Sequence, residues 1–272
     1  MSKIDIAEEI VKRIEDKICR SEAISINDVE KMSGYSKRHI QTIFREVTGF
    51  KISAYIRKRR LSHSAILIRL TRKSIFHIAM DLNFSSLQSF TRSFIREFKI
   101  SPLKYRKNEY FDCSCLTPPY TSENQPYLLK REKLNPLGLK VKEFTLKESL
   151  IGRRLERAEK TRRDEIRKVL SKKKEAYIIT NMIAESIFEH TVLLKTLIGS
   201  KDENSNYHIE ECECWSVMFI GTWESYVRFG RFCLFNINVE LGNTFMERIV
   251  LSGKQEGEEQ KYEFNLYFIS SQ

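Results

Sequence analysis

Apolar residues recur through the first hundred residues at the three- and four-residue spacing of an amphipathic α-helix. The segment 5–18 shows the pattern in Ile6, Ile10, Val11, Ile14 and Ile18. An α-helix turns once every 3.6 residues, so these side chains share one face that must be buried. Similar segments follow, and serines that can cap a helix open them: Ser25, Ser36, Ser74, Ser85 or Ser86, and Ser101. The pattern predicts seven short helices within residues 1–110.

This helical part contains an internal repeat of about 50 residues. Gly34-Tyr-Ser36 is echoed by Asn83-Phe-Ser85. Gly and Asn are the residues that best tolerate the left-handed backbone of a tight turn between two helices. Each repeat is therefore predicted to be a short helix, a tight turn and a capped helix, which is the helix-turn-helix arrangement. A long helix over 53–69 would join the two repeats.

The charge of the chain is unevenly distributed. The 272 residues include 47 Lys and Arg and 36 Asp and Glu, which gives a net charge of +11. Residues 1–110 hold 23 of the cations and 12 of the acids, whereas 111–272 hold 24 of each, so the whole excess lies in the first part. A compact unit this basic favours a polyanion as its partner, and nucleic acid is the commonest one. A device for solubility is the alternative that charge alone leaves open.

The helices predicted after the two tight turns each present a polar face that suits the DNA major groove. Arg pairs with guanine and Gln with adenine through two hydrogen bonds, which are the contacts that a base edge rewards. The residues predicted to read bases are Arg38, Gln41, Thr42 and Arg45 on the first helix, and Gln88, Ser89 and Arg92 on the second. A merely solvated face is the alternative for either helix alone. Because the polar face recurs in both repeats, we favour double-stranded DNA as the binding partner.

Further basic and hydroxyl side chains surround these two helices. Contacts to phosphates position a protein on DNA without reading the sequence. The residues predicted to make them are Ser36, Lys37, Lys58, Arg59, Ser85, Arg96, Lys99, Lys104 and Arg106. Within the basic run 57–60, Lys58 and Arg59 are expected to be outermost.

Several motifs of the first part resemble one known family. They include Gly34-Tyr-Ser-Lys-Arg-His-Ile-Gln-Thr-Ile-Phe44, Phe90-Thr-Arg-Ser-Phe94 and Ser101-Pro-Leu-Lys-Tyr-Arg106. Residues 4–108 resemble the AraC/XylS transcription regulators, and most of all their MarA/SoxS/Rob-like branch. The resemblance implies an all-α bundle of two helix-turn-helix subdomains that binds DNA as a monomer. Its two recognition helices would enter successive major grooves, and the protein would act as an activator that touches RNA polymerase near a promoter.

Three positions depart from the pattern of that branch. The branch commonly has Trp at the position of Arg38 and Arg at the position of Thr42, and Leu87 stands where Gln is usual. The cation of the first recognition helix has therefore moved one turn earlier. We predict that the first helix of this chain prefers a half-site different from that of the branch.

A proline-rich stretch at 111–127 is predicted to be a linker between a DNA-binding domain at 1–110 and a regulatory or ligand-binding domain at 128–272. β-Branched and aromatic residues predict strands at 176–183, 215–220 and 262–269, and a helix is predicted at 223–235. The predicted fold class is thus an all-α bundle followed by an α+β domain.

This order of parts weakly resembles Rob, whose second domain is of the GyrI-like ligand-binding class. The resemblance marks Glu263 as the candidate pocket carboxylate, which would attract a cationic ligand. A surface glutamate on an edge strand is the favoured alternative. The same weak resemblance makes a small-molecule effector possible.

Two other features carry less weight. The run 153–174 has 11 Lys and Arg against four acids, and is interpreted as a solvated helix face with a second phosphate contact as the alternative. Cys113-x-Cys115 and Cys212-x-Cys214 have four thiols, but this spacing is not the usual one for zinc. Ordinary thiols are favoured, with no metal and no cofactor.

The sequence has no catalytic motif, so a non-enzymatic protein is expected. The alternative is a ligand-binding protein or enzyme with an appended DNA-tethering domain. A third interpretation is an architectural protein that binds any DNA. No apolar run approaches the roughly 20 residues that span a bilayer, and the first residues do not form a secretory signal. We expect no membrane contact and a location in the cytoplasm, associated with the nucleoid.

Overall fold

The computed structural model describes residues 2–122, 128–151, 156–227, 240–253 and 259–269. Seven helices come first, as predicted: α1 Lys3–Cys19, α2 Ile26–Ser33, α3 Lys37–Thr48, α4 Ile52–Leu70, α5 Ile75–Asp81, α6 Leu87–Phe98 and α7 Pro102–Lys107. They are followed by β1 Phe111–Asp112, β2 Lys130–Leu134, β3 Leu137–Ser149, α8 Glu156–Leu170, β4 Glu175–Ile183, β5 Thr191–Lys201, β6 Tyr207–Ile209, β7 Cys212–Thr222, β8 Glu240–Leu241, β9 Thr244–Ser252 and β10 Lys261–Ile269. None of the described helices combines the length and apolar composition needed to cross a membrane.

Serine side chains begin several of these helices as the sequence predicts. Ser25 and Asp28 exchange hydrogen bonds in a capping box at the start of α2. Ser74, Ser86 and Ser101 each accept a hydrogen bond from the backbone N–H three residues later. These bonds satisfy donors that the first turn of a helix leaves free, so they fix where α5, α6 and α7 begin.

Eight strands form one antiparallel sheet in the order β2-β7-β10-β9-β4-β5-β3-β6, and β1 pairs with β8. The three predicted strands lie within β4, β7 and β10, and of the predicted helix at 223–235 the residues 223–227 are helical, while 228–239 lie outside the described residues. Along β10, Tyr262, Phe264, Leu266 and Phe268 are buried. Because alternate residues of a strand point to opposite faces, these four lie on one face of the sheet.

The fold class predicted from the sequence is wrong. A single hydrophobic cluster runs from Ile14 of α1 through Leu67 of α4 and Ile166 of α8 to Phe264 of β10. The core of the helices is therefore continuous with the apolar face of the sheet, and one large antiparallel sheet organises the second part. The error has a physical cause: periodicity shows that a helix or strand buries one face, but not what covers that face.

Polar contacts also join the helices to the sheet. The Arg72 N–H donates to the Ser186 carbonyl at 2.8 Å. Lys73 forms an ion pair with Asp81 at the end of α5, and the Asp81 carboxylate also lies 2.8 Å from Nε2 of His190, just before β5. Burial alone would raise the pKa of Asp81, but the hydrogen bonds from Lys73 and His190 outweigh it and lower this pKa. The charged Asp81 carboxylate thus links the helical part to the sheet through His190.

The start of the predicted linker packs against the helices. The Thr117 N–H donates to Oγ of Ser62 at 2.8 Å, and the Tyr120 N–H donates to the Tyr55 hydroxyl at 3.1 Å. Residues 123–127 lie outside the described residues. The division into domains at 1–110 and 128–272 stays a prediction.

Candidate nucleic-acid interface

Two helix-turn-helix units repeat along the helical part. The helices α3 and α6 have 12 residues each and begin at Lys37 and Leu87. The turns before them contain Gly34 at φ 73° and Asn83 at φ 57°, the left-handed conformations predicted for these residues. The internal repeat is thereby confirmed, and residues about 50 apart occupy equivalent positions of α3 and α6.

The side chains predicted to read bases lie on the solvent side of their helices. On α3 the buried residues are Ile40, Ile43 and Phe44, and on α6 they are Phe90, Phe94 and Phe98. The residues Arg38, Gln41, Thr42, Arg45, Gln88 and Arg92 are exposed, and Ser89 is half-buried. Each helix therefore packs through one apolar face and offers a polar face outward. Contact of these residues with bases stays a prediction.

Equivalent positions of the two helices carry different chemistry. Arg38 of α3 corresponds to Gln88 of α6, and Thr42 corresponds to Arg92. The Thr42 hydroxyl donates to the Arg38 carbonyl at 3.0 Å, so its hydrogen is used within the helix. Its oxygen can still accept a hydrogen bond, as from the amino group of cytosine or adenine. The two helices thus present different hydrogen-bonding groups to DNA.

The N-terminus of α3 departs from the predicted cap. Ser36 occupies the cap position but makes no side-chain cap hydrogen bond. The Lys37 N–H donates instead to Oε1 of Glu30 at 3.1 Å, and the Lys37 ammonium donates to Oδ1 of Asn27 at 3.3 Å. The exposed residues at or near the helix ends that stay predicted phosphate contacts are Ser36, Lys37, Ser85, Arg96, Lys99 and Lys104.

Arg59 was predicted to contact phosphate, and this prediction is wrong. Its side chain is 1% exposed. Its Nε donates to Oε1 of Glu15 and its Nη2 donates to Oε2, both at 2.8 Å. His63 adds a third contact to this carboxylate at 3.2 Å. Burial disfavours the charged form of Glu15, but the charge and hydrogen bonds of Arg59 outweigh burial and hold the pKa of Glu15 well below its ordinary value. The run 57–60 spans about one helical turn, so one of its members must face inward.

Arg106 is the second predicted phosphate contact that the structure moves elsewhere. Its Nε donates to the Ile68 carbonyl at 3.0 Å and its Nη2 donates to the Lys73 carbonyl at 2.6 Å. These bonds give hydrogen-bond donors to carbonyl groups at and just after the end of α4, and they hold α7 against that end. Lys58 is partly exposed and forms an ion pair with Glu97 of α6, so a phosphate at Lys58 would compete with that carboxylate.

Glu263 is not among the residues that line the cavity described in the next paragraph, and its partly exposed side chain fits the favoured surface position better than that of a pocket carboxylate. It accepts a hydrogen bond from Nδ2 of Asn265 at 2.8 Å, and it lies 3.8 Å from Nη1 of Arg248. Its neighbours Tyr262 and Phe264 are buried on the other face of β10. Strand alternation is the reason, since it directs residue 263 away from the apolar face.

A cavity of about 210 Å³ lies between α4 and the apolar face of the sheet, and we call it the α4–sheet cavity. Of the glutamates that line it, Glu247 of β9 is the buried one, with 2% of its surface exposed. Glu247 forms an ion pair with Arg162 of α8 and accepts a hydrogen bond from the Tyr226 hydroxyl. Glu247 was not predicted from the sequence because the adjacent charges of Glu247 and Arg248 are typical of an exposed segment. A carboxylate between the apolar residues Met246 and Ile249 was the available signal.

The thiols and acids do not assemble a metal centre within the described part of the chain, where no group of three or more His, Cys, Asp or Glu could hold an ion. Cys113, Cys115, Cys212 and Cys214 form no disulfide among the described residues. Burial raises the pKa of Cys214 to about 11, which opposes the thiolate that zinc requires. Nothing here favours the zinc alternative.

Two helix-turn-helix units on either side of a long helix define the class of tandem helix-turn-helix proteins. A family model described as a helix-turn-helix domain matches residues 30–108. The HTH-type transcriptional regulator YkgA of Escherichia coli (strain K12) is 46% identical over 102 residues, which cover 38% of this chain and 43% of YkgA. The right origin-binding protein of the same strain is 44% identical over 96 residues, which cover 35% of this chain and 33% of that protein.

The regulatory protein SoxS of Salmonella typhimurium is 42% identical over 106 residues, which cover 39% of this chain and 97% of SoxS. The chain belongs to the AraC/XylS family, in its MarA/SoxS/Rob-like branch. This confirms the resemblance seen in the sequence. The chain spans less than half the length of YkgA and about a third of the right origin-binding protein.

Proposed function

We propose that the protein is a sequence-specific transcription regulator that binds double-stranded DNA through α3 and α6. The observation that carries the proposal is the repeated geometry of these two helices. Each is fixed by an apolar face on the shared core and presents a polar face with Arg or Gln to solvent. Arg and Gln are the side chains best suited to guanine and adenine edges.

The two helices differ at equivalent positions, so one chain can read an asymmetric site without a second copy. We propose that the protein binds as a monomer, with its recognition helices in successive major grooves roughly 34 Å apart. Family membership supports the role of an activator that contacts RNA polymerase. It likewise supports a cytoplasmic, nucleoid-associated location and the absence of an enzymatic activity.

The second part of the chain supports a ligand-responsive role. The α4–sheet cavity is lined by Ile66 and Leu70 of α4, the helix that joins the two helix-turn-helix units. A small molecule in this cavity would contact the connector directly. The observation favours a small-molecule effector over an enzyme merely tethered to DNA.

Selection from a random duplex pool tests the proposal. The full chain should recover a site with two half-sites about one helical turn apart. At fixed salt, the protein should bind that site at least about 10³-fold more tightly than a scrambled duplex. A ratio near one would contradict the proposal in favour of an architectural protein.

A further inference from the structure

Three arginines line another pocket, at the junction of the helical part and the sheet, and we call it the arginine pocket. They are Arg69 at the end of α4, Arg72 just after that helix and Arg106 of α7. The pocket has a volume of about 460 Å³. Its other described lining residues, none of which is an Asp or Glu, are Leu70, Thr71, Met182, Ala184 and Asn243. It shares Leu70 and Met182 with the α4–sheet cavity, but none of the charged residues of that cavity.

The described contacts of the three guanidinium groups are all with neutral acceptors. Nη1 and Nη2 of Arg69 donate to two carbonyls just after α7, both at 2.6 Å. Nε of Arg72 donates to the carbonyl that follows β4 at 3.0 Å. Two nitrogens of Arg106 donate to carbonyls at and just after the end of α4. Among the described residues, Nη1 and Nη2 of Arg72 and Nη1 of Arg106 have no acceptor, so they can donate to a ligand.

Buried arginines elsewhere in the described chain have a carboxylate partner. Burial lowers the pKa of Arg59, but the charge of Glu15 outweighs burial and raises this pKa, and Arg162 has the same balance. Arg69 and Arg106 are half-buried, and burial lowers their pKa without a carboxylate to offset it. The arginine pocket therefore lacks the counter-charge that the other buried arginines have.

The carbonyls at the ends of α4 and α7 do not neutralise the pocket. The aligned dipoles of a helix place about half a negative charge at its C-terminus, so two ends contribute about one negative charge against three positive ones. The excess of about two is the charge that a phosphate ester has at neutral pH. Guanidinium groups also match the spacing of phosphate oxygens, to which they donate two parallel hydrogen bonds.

We propose that the arginine pocket binds a small phosphorylated molecule. Its phosphate oxygens accept hydrogen bonds from the free Nη groups of Arg72 and Arg106, and its charge compensates Arg69. Ligand pockets commonly have volumes of about 300–1,000 Å³. The volume of about 460 Å³ therefore leaves room for a polar body beside the phosphate. An effect of this molecule on DNA binding would rest on the proposed function, whereas its binding does not.

Glycerol 3-phosphate and glycerol provide a matched pair of probes, because they differ only in the phosphate. Calorimetric titration of the DNA-free full chain at fixed ionic strength should show saturable binding of the ester at one site, and no binding of glycerol. Arg72→Gln should weaken ester binding at least about tenfold, the factor expected for one hydrogen bond to a charged group. Arg167→Gln removes the same charge from the exposed surface of α8 and should leave the affinity unchanged. Equal losses in the two variants would show unspecific attraction of the anion and would overturn the proposal.

Asn243→Asp tests the pocket by supplying the counter-charge from the chain itself. Oδ1 of Asn243 lies 3.4 Å from Nη2 of Arg69, so the variant places a carboxylate beside the three arginines. It should weaken ester binding at least as much as Arg72→Gln, and it should raise the melting temperature of the ligand-free chain. Asn27→Asp adds the same charge to the exposed surface of α2 and should not change ester binding.

A DNA backbone is the other source of phosphate, and the same variants distinguish it. Arg72→Gln should leave the affinity for any duplex unchanged. If it weakens duplex binding as much as ester binding, the DNA backbone occupies the pocket and the proposal is overturned. Absence of saturable ester binding, or ester binding that neither Arg72→Gln nor Asn243→Asp weakens, would also overturn it. Loss of sequence preference among duplexes would overturn the proposed function and leave this inference standing.

Discussion

Arg59 and Glu15 form a two-pronged ion pair that ties the centre of α4 to α1, with both nitrogen–oxygen distances at 2.8 Å. Arg59 is 1% exposed, so the pair lies in the interior of the helical part. Its side chain also donates to the Thr117 carbonyl, which brings the segment after β1 to the same place. The most basic stretch of α4 thus contains a buried ion pair to another helix.

Glu15→Gln should lower the free energy of unfolding by about 3–5 kcal/mol at neutral pH, because it leaves Arg59 buried without its counter-charge. Urea unfolding followed by circular dichroism measures this loss. Glu9→Gln is the matched control, since Glu9 pairs with Arg13 on the same helix but in an exposed position. Such an exposed pair contributes at most about 0.5 kcal/mol. Equal losses in the two variants would contradict the assigned role of the pair.

The same pair predicts a pH dependence. The pKa of Glu15 in the folded chain is lowered from 4.5, so its contribution to stability is complete above that value. As the pH falls from there through the folded-state pKa, the carboxylate is protonated and the contribution is lost. The difference in stability between the parent chain and Glu15→Gln should therefore narrow below about pH 4.5. A difference that stays constant down to the acid transition would disprove the linkage.

Arg38→Ala should weaken binding to the preferred duplex by about 1–3 kcal/mol, because a bidentate contact to a base is lost. A scrambled duplex should be affected much less. Lys12→Ala removes the same charge from the exposed surface of α1 and serves as the control. Fluorescence anisotropy at fixed salt measures all three proteins on both duplexes. If Arg38→Ala weakens the two duplexes equally, Arg38 is a phosphate contact and not a base reader.

Lys58 and Glu97 should have opposite effects on DNA binding. Lys58→Ala should weaken every duplex about equally and reduce the slope of log affinity against log salt by about one. Glu97→Gln removes the carboxylate that competes for Lys58, and should strengthen binding to every duplex. Titrations at several salt concentrations test both variants. Weaker binding by Glu97→Gln would show that the ion pair supports the interface and does not compete with it.

The departures on α3 predict a change of half-site. Restoring the residues common in the branch with the double change Arg38→Trp and Thr42→Arg should move the sequences selected by α3 towards those that SoxS selects. The half-site selected by α6 should stay the same, because Gln88 and Arg92 are untouched. Parallel selections with this chain, the double variant and SoxS provide the comparison. If the unaltered chain already selects the SoxS half-site, the importance of these departures is refuted.

The parts of the fold that local chemistry decides could be predicted from the sequence. Gly34 and Asn83 are left-handed in the structure, and Ser25 with Asp28 forms the capping box. Such features depend on neighbours within one helical turn, so a short stretch of sequence contains them completely. The exposure of Arg38 and Arg92 follows from the same helical period.

Features that depend on distant partners could not be predicted. Nothing within the run 57–60 shows that Arg59 is the inward member, because Glu15 lies on another helix. The strand β3 was not predicted, although Lys140 and Lys142 alternate with apolar residues as they do in a half-buried strand. Glu247 was missed for a related reason, because the face of a strand that meets the cavity is set by pairing between strands.

The shared hydrophobic cluster also limits how the chain can be cut. Ile66 and Leu70 are 5% and 2% exposed in the full chain, and both contact the cavity beneath the sheet. A fragment ending near residue 110 would leave them facing water and would tend to aggregate. SoxS aligns over 97% of its length with only 39% of this chain. Truncating this chain to the length of SoxS would therefore require polar replacements along the uncovered side of α4 to keep the fragment soluble.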